Sequence, residues 1–393
     1  MGQSHTSEYP LFHLFLFFTW DVSLRLWKDK GLFERETAYY KALAERGVKI
    51  TFLTWGDHRD LEINLGSHGM IEVIPAYKYI PNPHNKALRA LLSPLVLWYA
   101  RRQISSADLV KTNQMWGSWC AVLAKYFFRK KLLLRTGFEL YKFTRDQGAC
   151  ALRRNFIFHL SKLSYSFADL IYVSSKTDKD FIKNHFSINP EKVSVRPNWI
   201  DIKRFKPIEM EHEENSVLYV GRLSQQKNIP LLIEALSQTK IDLTIVGIGE
   251  TKKEIVSLAK EYNVNVIFLG AVPNDQLPAL LCRYAVFVLP SYYEGNPKTL
   301  LEAMSCGRAV IGTDVDGIKN VIDHEKTGLL SECDKDSLLA HIKRLLGDPS
   351  LRTEIGTNAR NEIVKTQSLY HILEKEIEDY DKFGLERHDH LES

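Results

Sequence analysis

Nowhere does this 393-residue sequence hold an apolar run long enough to cross a bilayer, which takes about 20 residues. The apolar run nearest the start, Leu11 to Trp20, has no basic region before it and no small-residue cleavage site after it. It is expected to be a first core strand and not a signal peptide. Cysteine is scarce: Cys120, Cys150, Cys282, Cys306 and Cys333 are scattered without CxxC spacing. That excludes a disulfide framework and a zinc knuckle, and it fits a reducing cytosol. No His/Asp/Glu cluster has the spacing of a metal site. Asp-x-Asp occurs at Asp314–Asp316, Asp178–Asp180, Asp334–Asp336 and Asp379–Asp381, and a pattern met so often in one chain is not diagnostic. A complete Gly-x-Gly-x-x-Gly is also lacking. Gly247-Ile248-Gly249 begins it, Lys252 stands where the third glycine belongs, and no acid lies near Phe268–Ala271 to hold a ribose. A nicotinamide cofactor is therefore not expected. Repeats and low-complexity segments are absent, and Met1–Thr6 fits the N-myristoylation pattern only loosely.

What is present is a globular composition, 45% hydrophobic and 25% charged, on a chain too long for one ordinary core. Strand-like and helix-like segments alternate throughout, which predicts parallel sheets covered by helices on both faces. In the first half the expected strands are 11–19, 48–54, 70–74, 109–112, 131–136, 170–174 and 193–197. Helices are expected at 30–46, 85–104 (bent at Pro94), 118–128 and 151–167. The acidic stretch Glu209–Asn215 reads as a linker, and the alternation restarts at Ser216. The expected division is 1–206, 207–368, and a last helix with a polar tail, 369–393.

Charge is distributed unevenly. Residues through Pro207 hold 32 Lys+Arg against 18 Asp+Glu, a net of +14, and the remainder nets −10. Two mutually attractive surfaces or a basic half facing an anionic partner both account for this. The clusters Arg101-Arg102, Arg129-Lys130-Lys131 and Arg153-Arg154, with the apolar stretch Ala87–Tyr99, lead to the expectation of a peripheral contact with an anionic membrane.

One stretch carries more chemistry than any other: VFVLPSYYEGNPKTLLEAMSCG, Val286 to Gly307. An apolar strand stops at Pro290, a loop runs to Gly295, and Asn296-Pro297 reads as an N-cap with proline at the first helical position. Loops between a parallel strand and a helix N-terminus are where open α/β sheets bind ligands. The first-turn amides suit a phosphate, and Glu294 and Glu302 suit hydroxyl groups. Earlier, the loop GRLSQQKN follows a strand and places Arg222, a planar fork for phosphate oxygens, five residues from Lys227, a point charge. Cations for phosphate and carboxylates for hydroxyls together suit a nucleotide sugar.

The segments VLYVGRLSQQKNIPLLIEAL, LTIVGIGE, VIFLGAVPNDQLPALL, EGNPKTLLEAMSCGRAVIGTDVDG and TGLL, in this order, resemble the C-terminal domain of retaining glycosyltransferases of family 4, which have the GT-B fold. The resemblance is strong from about Leu170 to Leu330 and thin before that. Its most specific part is the E-x7-E pair Glu294 and Glu302. It implies an α/β chain of two Rossmann-like parallel-sheet domains facing across a cleft, with a C-terminal helix crossing back to the first. The first domain would take the acceptor and the second the donor. The matching positions imply roles: Arg222 and Lys227 on the donor diphosphate, Glu302 on the ribose hydroxyls and Glu294 on the transferred sugar. Gly295, Asn296 and Pro297 would lie near sugar and phosphate, and Gly270-Ala271-Val272 beside the nucleobase. Arg222, Lys227 and Glu294 are the catalytic candidates. The donor would be of UDP or GDP type, without cofactor or metal, and the acceptor a glycan or lipid-linked glycan. The enzyme would work in cell-surface polysaccharide or lipopolysaccharide synthesis, in the cytoplasm at the inner face of the membrane. A non-catalytic nucleotide-sugar binder and a transferase with a soluble acceptor remain alternatives. The sequence departs from the family in its first loop, where only Gly31 stands in place of a glycine pair, and in the absence of an evident donor-facing histidine. Arg135 and Glu139 occupy the comparable region, as acceptor-side groups or as a buried ion pair.

Overall fold

A computed structural model describes residues 12–66, 69–137 and 139–382. The Met1–Thr6 pattern, Leu11 and the tail after Gly384 lie outside them. Two units emerge, one of residues 1–196 with 373–393, the other of residues 197–372.

The first unit holds strands β1 (Phe12–Phe17), β2 (Val48–Thr54), β3 (Ile71–Pro75), β4 (Leu109–Thr112), β5 (Lys131–Thr136), β6 (Leu170–Val173) and β7 (Val193–Val195). They form one sheet in the order β3-β2-β1-β4-β5-β6-β7, every pair parallel. β1 is buried along its whole length, as expected of a strand covered on both faces. The helix expected at 85–104 is broken into Lys86–Leu92, a 3-10 turn Ser93–Leu95, Val96–Tyr99 and Arg101–Ser106. Pro94 sits in the first turn of the 3-10 segment, where its missing N–H costs nothing.

The second unit holds β8 (Glu213–Val220), β9 (Asp242–Val246), β10 (Val266–Gly270), β11 (Tyr284–Leu289), β12 (Ala309–Thr313) and β13 (Leu329–Ser331). Their order is β10-β9-β8-β11-β12-β13, again all parallel.

The first break falls after Arg196, ten residues before the expected 206/207. Packing explains the correction. Ile200 and Phe205 lie in the hydrophobic core of the second unit. The Ile200 N–H donates to the Gln367 carbonyl at 2.8 Å, and the Ile200 carbonyl accepts from the Leu369 N–H at 2.9 Å. The acidic stretch read as a linker lies inside the second unit and runs into β8.

The last helix, Leu369–Lys382, passes from the second unit to the first at Leu373. What binds it there is a buried ionic network. Glu376, fully buried, meets Lys111 of β4 at 2.5 Å and Arg135 of β5 at 3.0 Å. The hydroxyls of Tyr39 and Tyr380 donate to it at 2.5 and 3.0 Å. Asp379 accepts from Tyr172 at 2.8 Å and Arg196 at 2.5 Å. Burial alone would raise the Glu376 pKa, but the charges of Lys111 and Arg135 outweigh it and hold the carboxyl at about 2. Burial lowers the pKa of Lys111. Removing the carboxylate strands the buried Lys111 and the largely buried Arg135, so Glu376→Ala should cost about 3–5 kcal/mol in urea unfolding. Because the folded pKa lies below the ordinary 4.5, the contribution is present above pH 4.5 and lost as pH falls toward 2. Wild-type stability should drop through that window more steeply than that of Glu376→Ala.

Candidate functional site

In the second unit all six strands point the same way, so every strand delivers its C-terminal loop to one edge. From β8 the chain moves outward to β9 and β10, then returns to β11 on the other side of β8. The loops leaving β8 and β11 therefore diverge from adjacent strands, which makes the place between them the switch point where such sheets take ligands.

The β8 loop runs from Gly221 through a 3-10 turn, Gln225–Lys227, to Asn228, whose φ of 48° opens the helix Ile229–Leu236. It is pressed against the β9 loop. A Cβ on Gly247 (φ +140°) would stand 1.8 Å from the Gly221 carbonyl oxygen, and one on Gly249 would stand 1.9 Å from that of Leu223. This gives Gly247-x-Gly249 a packing reason that needs no dinucleotide. Arg222 is exposed, and its carbonyl accepts from the Tyr219 hydroxyl at 2.9 Å.

The β8 and β11 loops are stitched together. Lys227 forms an ion pair with Glu294, whose side chain is 2% exposed against 15% for the lysine. The same carboxylate oxygen accepts from the Ser291 hydroxyl at 2.7 Å. Gln226 donates to the Tyr293 carbonyl at 2.8 Å and accepts from the Tyr292 N–H at 2.9 Å. Burial, with the Glu294 charge adding to it, raises the Tyr219 pKa well above its ordinary value. Thr313, at the end of β12, donates to the Ser291 carbonyl at 2.5 Å.

The helix after this loop spans Lys298–Ser305 with Pro297 at the N-cap, one residue later than expected. Asn296 does not cap it. Its side-chain oxygen accepts from the Asn198 N–H at 2.8 Å, and the Asn198 amide donates to the Asn296 carbonyl at 2.6 Å. A tertiary partner outside the helix has taken the oxygen that local sequence assigns to the cap. Glu302, 1% exposed, lies on the second turn of this helix. Gly295 and Pro297 are buried in the loop. Gly270 ends β10, where its carbonyl accepts from the Gly247 N–H at 2.7 Å. It is two strands from β8, about 10 Å at the usual strand spacing. Val272 packs against the core.

Lys227 and Glu294 are thus in direct contact, with Arg222 on the same loop as Lys227. Ser291, Gln226 and Asn198 are contributors that sequence reasoning missed. Ser291 alone had a local signal, following the strand-ending Pro290. Arg135 and Glu139, in the first unit, do not pair with each other. Arg135 is committed to Glu376. Glu139 accepts from the Lys142 N–H at 2.5 Å and the Tyr165 hydroxyl at 3.1 Å, and burial pushes its pKa up to about 7.

Gly317 closes the site from the β12 side. Its φ is +86°, and a Cβ there would lie 2.3 Å from the Glu294 carbonyl oxygen and 2.4 Å from that of Gly295. Gly317→Ala should destabilise the protein by about 1–3 kcal/mol through backbone strain, with a further cost for displacing the Glu294 loop. An unchanged urea midpoint would show that this approach is not as tight as described.

Comparison with known proteins places both halves. The family description "Glycosyl transferases group 1" matches residues 201–362, and "Glycosyltransferase Family 4" matches residues 38–204. A Campylobacter jejuni protein named N-acetylgalactosamine-N,N'-diacetylbacillosaminyl-diphospho-undecaprenol 4-alpha-N-acetylgalactosaminyltransferase is 33% identical over 210 residues, 51% of this chain and 57% of that protein. A second from that organism, N,N'-diacetylbacillosaminyl-diphospho-undecaprenol alpha-1,3-N-acetylgalactosaminyltransferase, is 27% identical over 305 residues, 70% of this chain and 79% of that protein. For several curated relatives, the first of these among them, the match spans little more than half their length. Sucrose-phosphate synthase from Thermosynechococcus elongatus superimposes with a TM-score of 0.80 at 22% identity, over 95% of this chain and 99% of that one. With a family match on each half and two parallel α/β sheets behind them, the chain belongs to the family 4 type of GT-B glycosyltransferases.

Proposed function

We propose that the protein transfers a hexose-type sugar from a nucleoside diphosphate donor, of UDP or GDP type, to a lipid-linked glycan, with retention at the anomeric carbon. The observation that carries this reading is the meeting of Lys227 and Glu294 at the β8/β11 switch point, with Arg222 exposed on the same loop. Arg222 and Lys227 would hold the diphosphate, aided by the first amides of the helix Lys298–Ser305. Lys227, held by Glu294, and the helix amides are in place before reaction, so they would stabilise the negative charge that grows on the leaving diphosphate with little reorganisation. Glu294 would take a hydroxyl of the transferred sugar and Glu302 the ribose hydroxyls. Gly270 and Val272 would flank the base, and Gly295, Asn296 and Pro297 would shape the wall beside sugar and phosphate. No enzyme nucleophile is invoked. The leaving diphosphate accepts the acceptor's proton on the same face of the sugar.

The lipid-linked acceptor is supported by the names of both Campylobacter jejuni relatives, which specify diphospho-undecaprenol-linked sugars. The skewed charge of the first half supports work at the inner face of a membrane in surface-glycan synthesis. Among the described residues no helix is long and apolar enough to cross one.

The Lys227–Glu294 pair changes how the site should respond to substitution. A diphosphate must compete with Glu294 for the lysine. Glu294→Gln should therefore leave or improve nucleoside diphosphate affinity while abolishing turnover. Arg222→Ala and Lys227→Ala should each weaken that affinity by about 1.5–3 kcal/mol, the range for a charge-assisted bond, or about tenfold to a hundredfold. Isothermal calorimetry reads all three, and unchanged affinity in both cation variants would remove the phosphate assignment. With two cations for the diphosphate, activity should survive excess EDTA. Loss restored by Mn²⁺ or Mg²⁺ would reassign the cation's work to a metal.

A further inference from the structure

Helices on the surface of a globular unit ordinarily bury one face. The helix Lys86–Leu92, KALRALL, buries none of its residues. Leu88 is 45% exposed and Leu91 76%. The chain then turns through Ser93–Leu95 into Val96–Tyr99, where Leu95, Trp98 and Tyr99 are each at least half exposed. Single exposed apolar residues need no explanation. Five large ones within twelve consecutive residues form a patch that does.

This ridge is not loose. Asn85 caps it, accepting from the N–H groups of Ala87 and Leu88 at 2.9 and 3.1 Å. Arg89 donates to Asp21 at 2.8 Å and Asn82 at 3.1 Å, and its guanidinium lies over the rings of Trp20 and Tyr77. Trp119 donates to the Ser93 hydroxyl at 2.8 Å. Tyr99 stacks on Tyr79, and Arg101 lies 4.6 Å over the Trp98 ring. The polar side of the segment, with Leu97 buried behind it, fastens it to the body while Leu88, Leu91, Leu95 and Trp98 face solvent.

The sequence around it is strongly basic. Between Glu72 and Glu139 the sequence holds a single acidic residue, Asp108, against eleven Lys and Arg. Asp108 accepts from the His13 N–H and Glu72 from Gln103. Lys86, Arg101 and Arg102 are exposed beside the ridge.

We infer that the ridge 86–99 docks in the interface of an anionic bilayer, with Leu88, Leu91 and Leu95 entering the acyl boundary, Trp98 and Tyr99 at headgroup level, and Lys86, Arg101 and Arg102 on the lipid phosphates. Leucines for the acyl boundary, aromatics for the headgroup level and cations for anionic lipid are the three chemistries such a surface selects. A second copy of the chain would bring like charges together, so it is the poorer occupant. Through Arg89 and Asp21 the docked ridge is fastened to the loop that follows β1, at the C-terminal edge of the first sheet. The inference goes beyond the donor-site reading by naming the element that meets the membrane.

The test uses the full chain and vesicles of phosphatidylcholine, with or without 30% phosphatidylglycerol, at low and high salt, without nucleotide or acceptor. Wild type should co-sediment with the anionic vesicles at low salt. Leu91→Glu/Trp98→Glu should bind at least tenfold more weakly with an unchanged urea midpoint, and Arg101→Glu/Arg102→Glu should lose the dependence on anionic lipid. Brominated acyl chains should quench the emission that Trp98→Phe removes. Equal binding by wild type and the ridge variant, no binding by wild type, or equal recovery with neutral vesicles would overturn the inference. So would a wild-type dimer by light scattering that the ridge variant dissociates. Because neither nucleotide nor acceptor is present, each of these outcomes leaves the donor-site reading standing.

Discussion

The site depends on one constraint: a parallel sheet sends all its strand ends to the same edge, and this sheet reverses its order between β8 and β11. Neighbouring strands therefore release loops that lead to opposite sides. Two segments far apart in sequence, one bearing cations and one bearing a carboxylate, arrive side by side with no helix between them. The glycines follow from this geometry. Gly247, Gly249 and Gly317 sit where any Cβ would strike a neighbouring loop's backbone, so the edge is closed by main chain packed on main chain.

Two carboxylates illustrate how position separates structure from chemistry. Glu376 faces two cations and two tyrosine hydroxyls, all buried but the partly exposed Arg135, and its bonding capacity is absorbed by the fold. Glu294 has one lysine and one serine, and the lysine belongs to a loop whose other cation, Arg222, is exposed. A buried ion pair is weak evidence for stability, because desolvation offsets much of the attraction. Its value at a sheet edge is that it holds a cation and a carboxylate in fixed positions before any anionic ligand competes for the cation.

Much of this was legible in the sequence, because strand runs ending at Pro290 or Gly221 and the Glu294-to-Glu302 spacing are local signals. What was not legible came from partners distant in sequence. Asn296 reads as an N-cap until Asn198, almost a hundred residues away, takes its side chain. Arg135 and Glu139 read equally as acceptor-side groups or as a buried ion pair, and the pairing is ruled out only when the last helix brings Glu376 to the arginine and Tyr165 meets the glutamate. The boundary was misplaced because Glu209–Asn215 has linker composition, whereas the break is set by Ile200 and Phe205 entering the second core. Gly247-x-Gly249 suggested a cofactor motif only because close backbone packing and phosphate binding demand the same residue.

The central claim is that the β8/β11 edge binds a nucleoside diphosphate through the Arg222 and Lys227 loop. Thermal melting of the wild-type protein against UDP, GDP and ADP, each beside its monophosphate, tests it most directly. A ligand at a hundred times its dissociation constant stabilises the folded state by about 2.7 kcal/mol. The account predicts a clear rise in Tm with at least one diphosphate and a much smaller rise with its monophosphate, because the second phosphate is what two cations are placed to hold. Equal shifts for diphosphate and monophosphate, or no shift with any nucleotide at millimolar concentration, would contradict it.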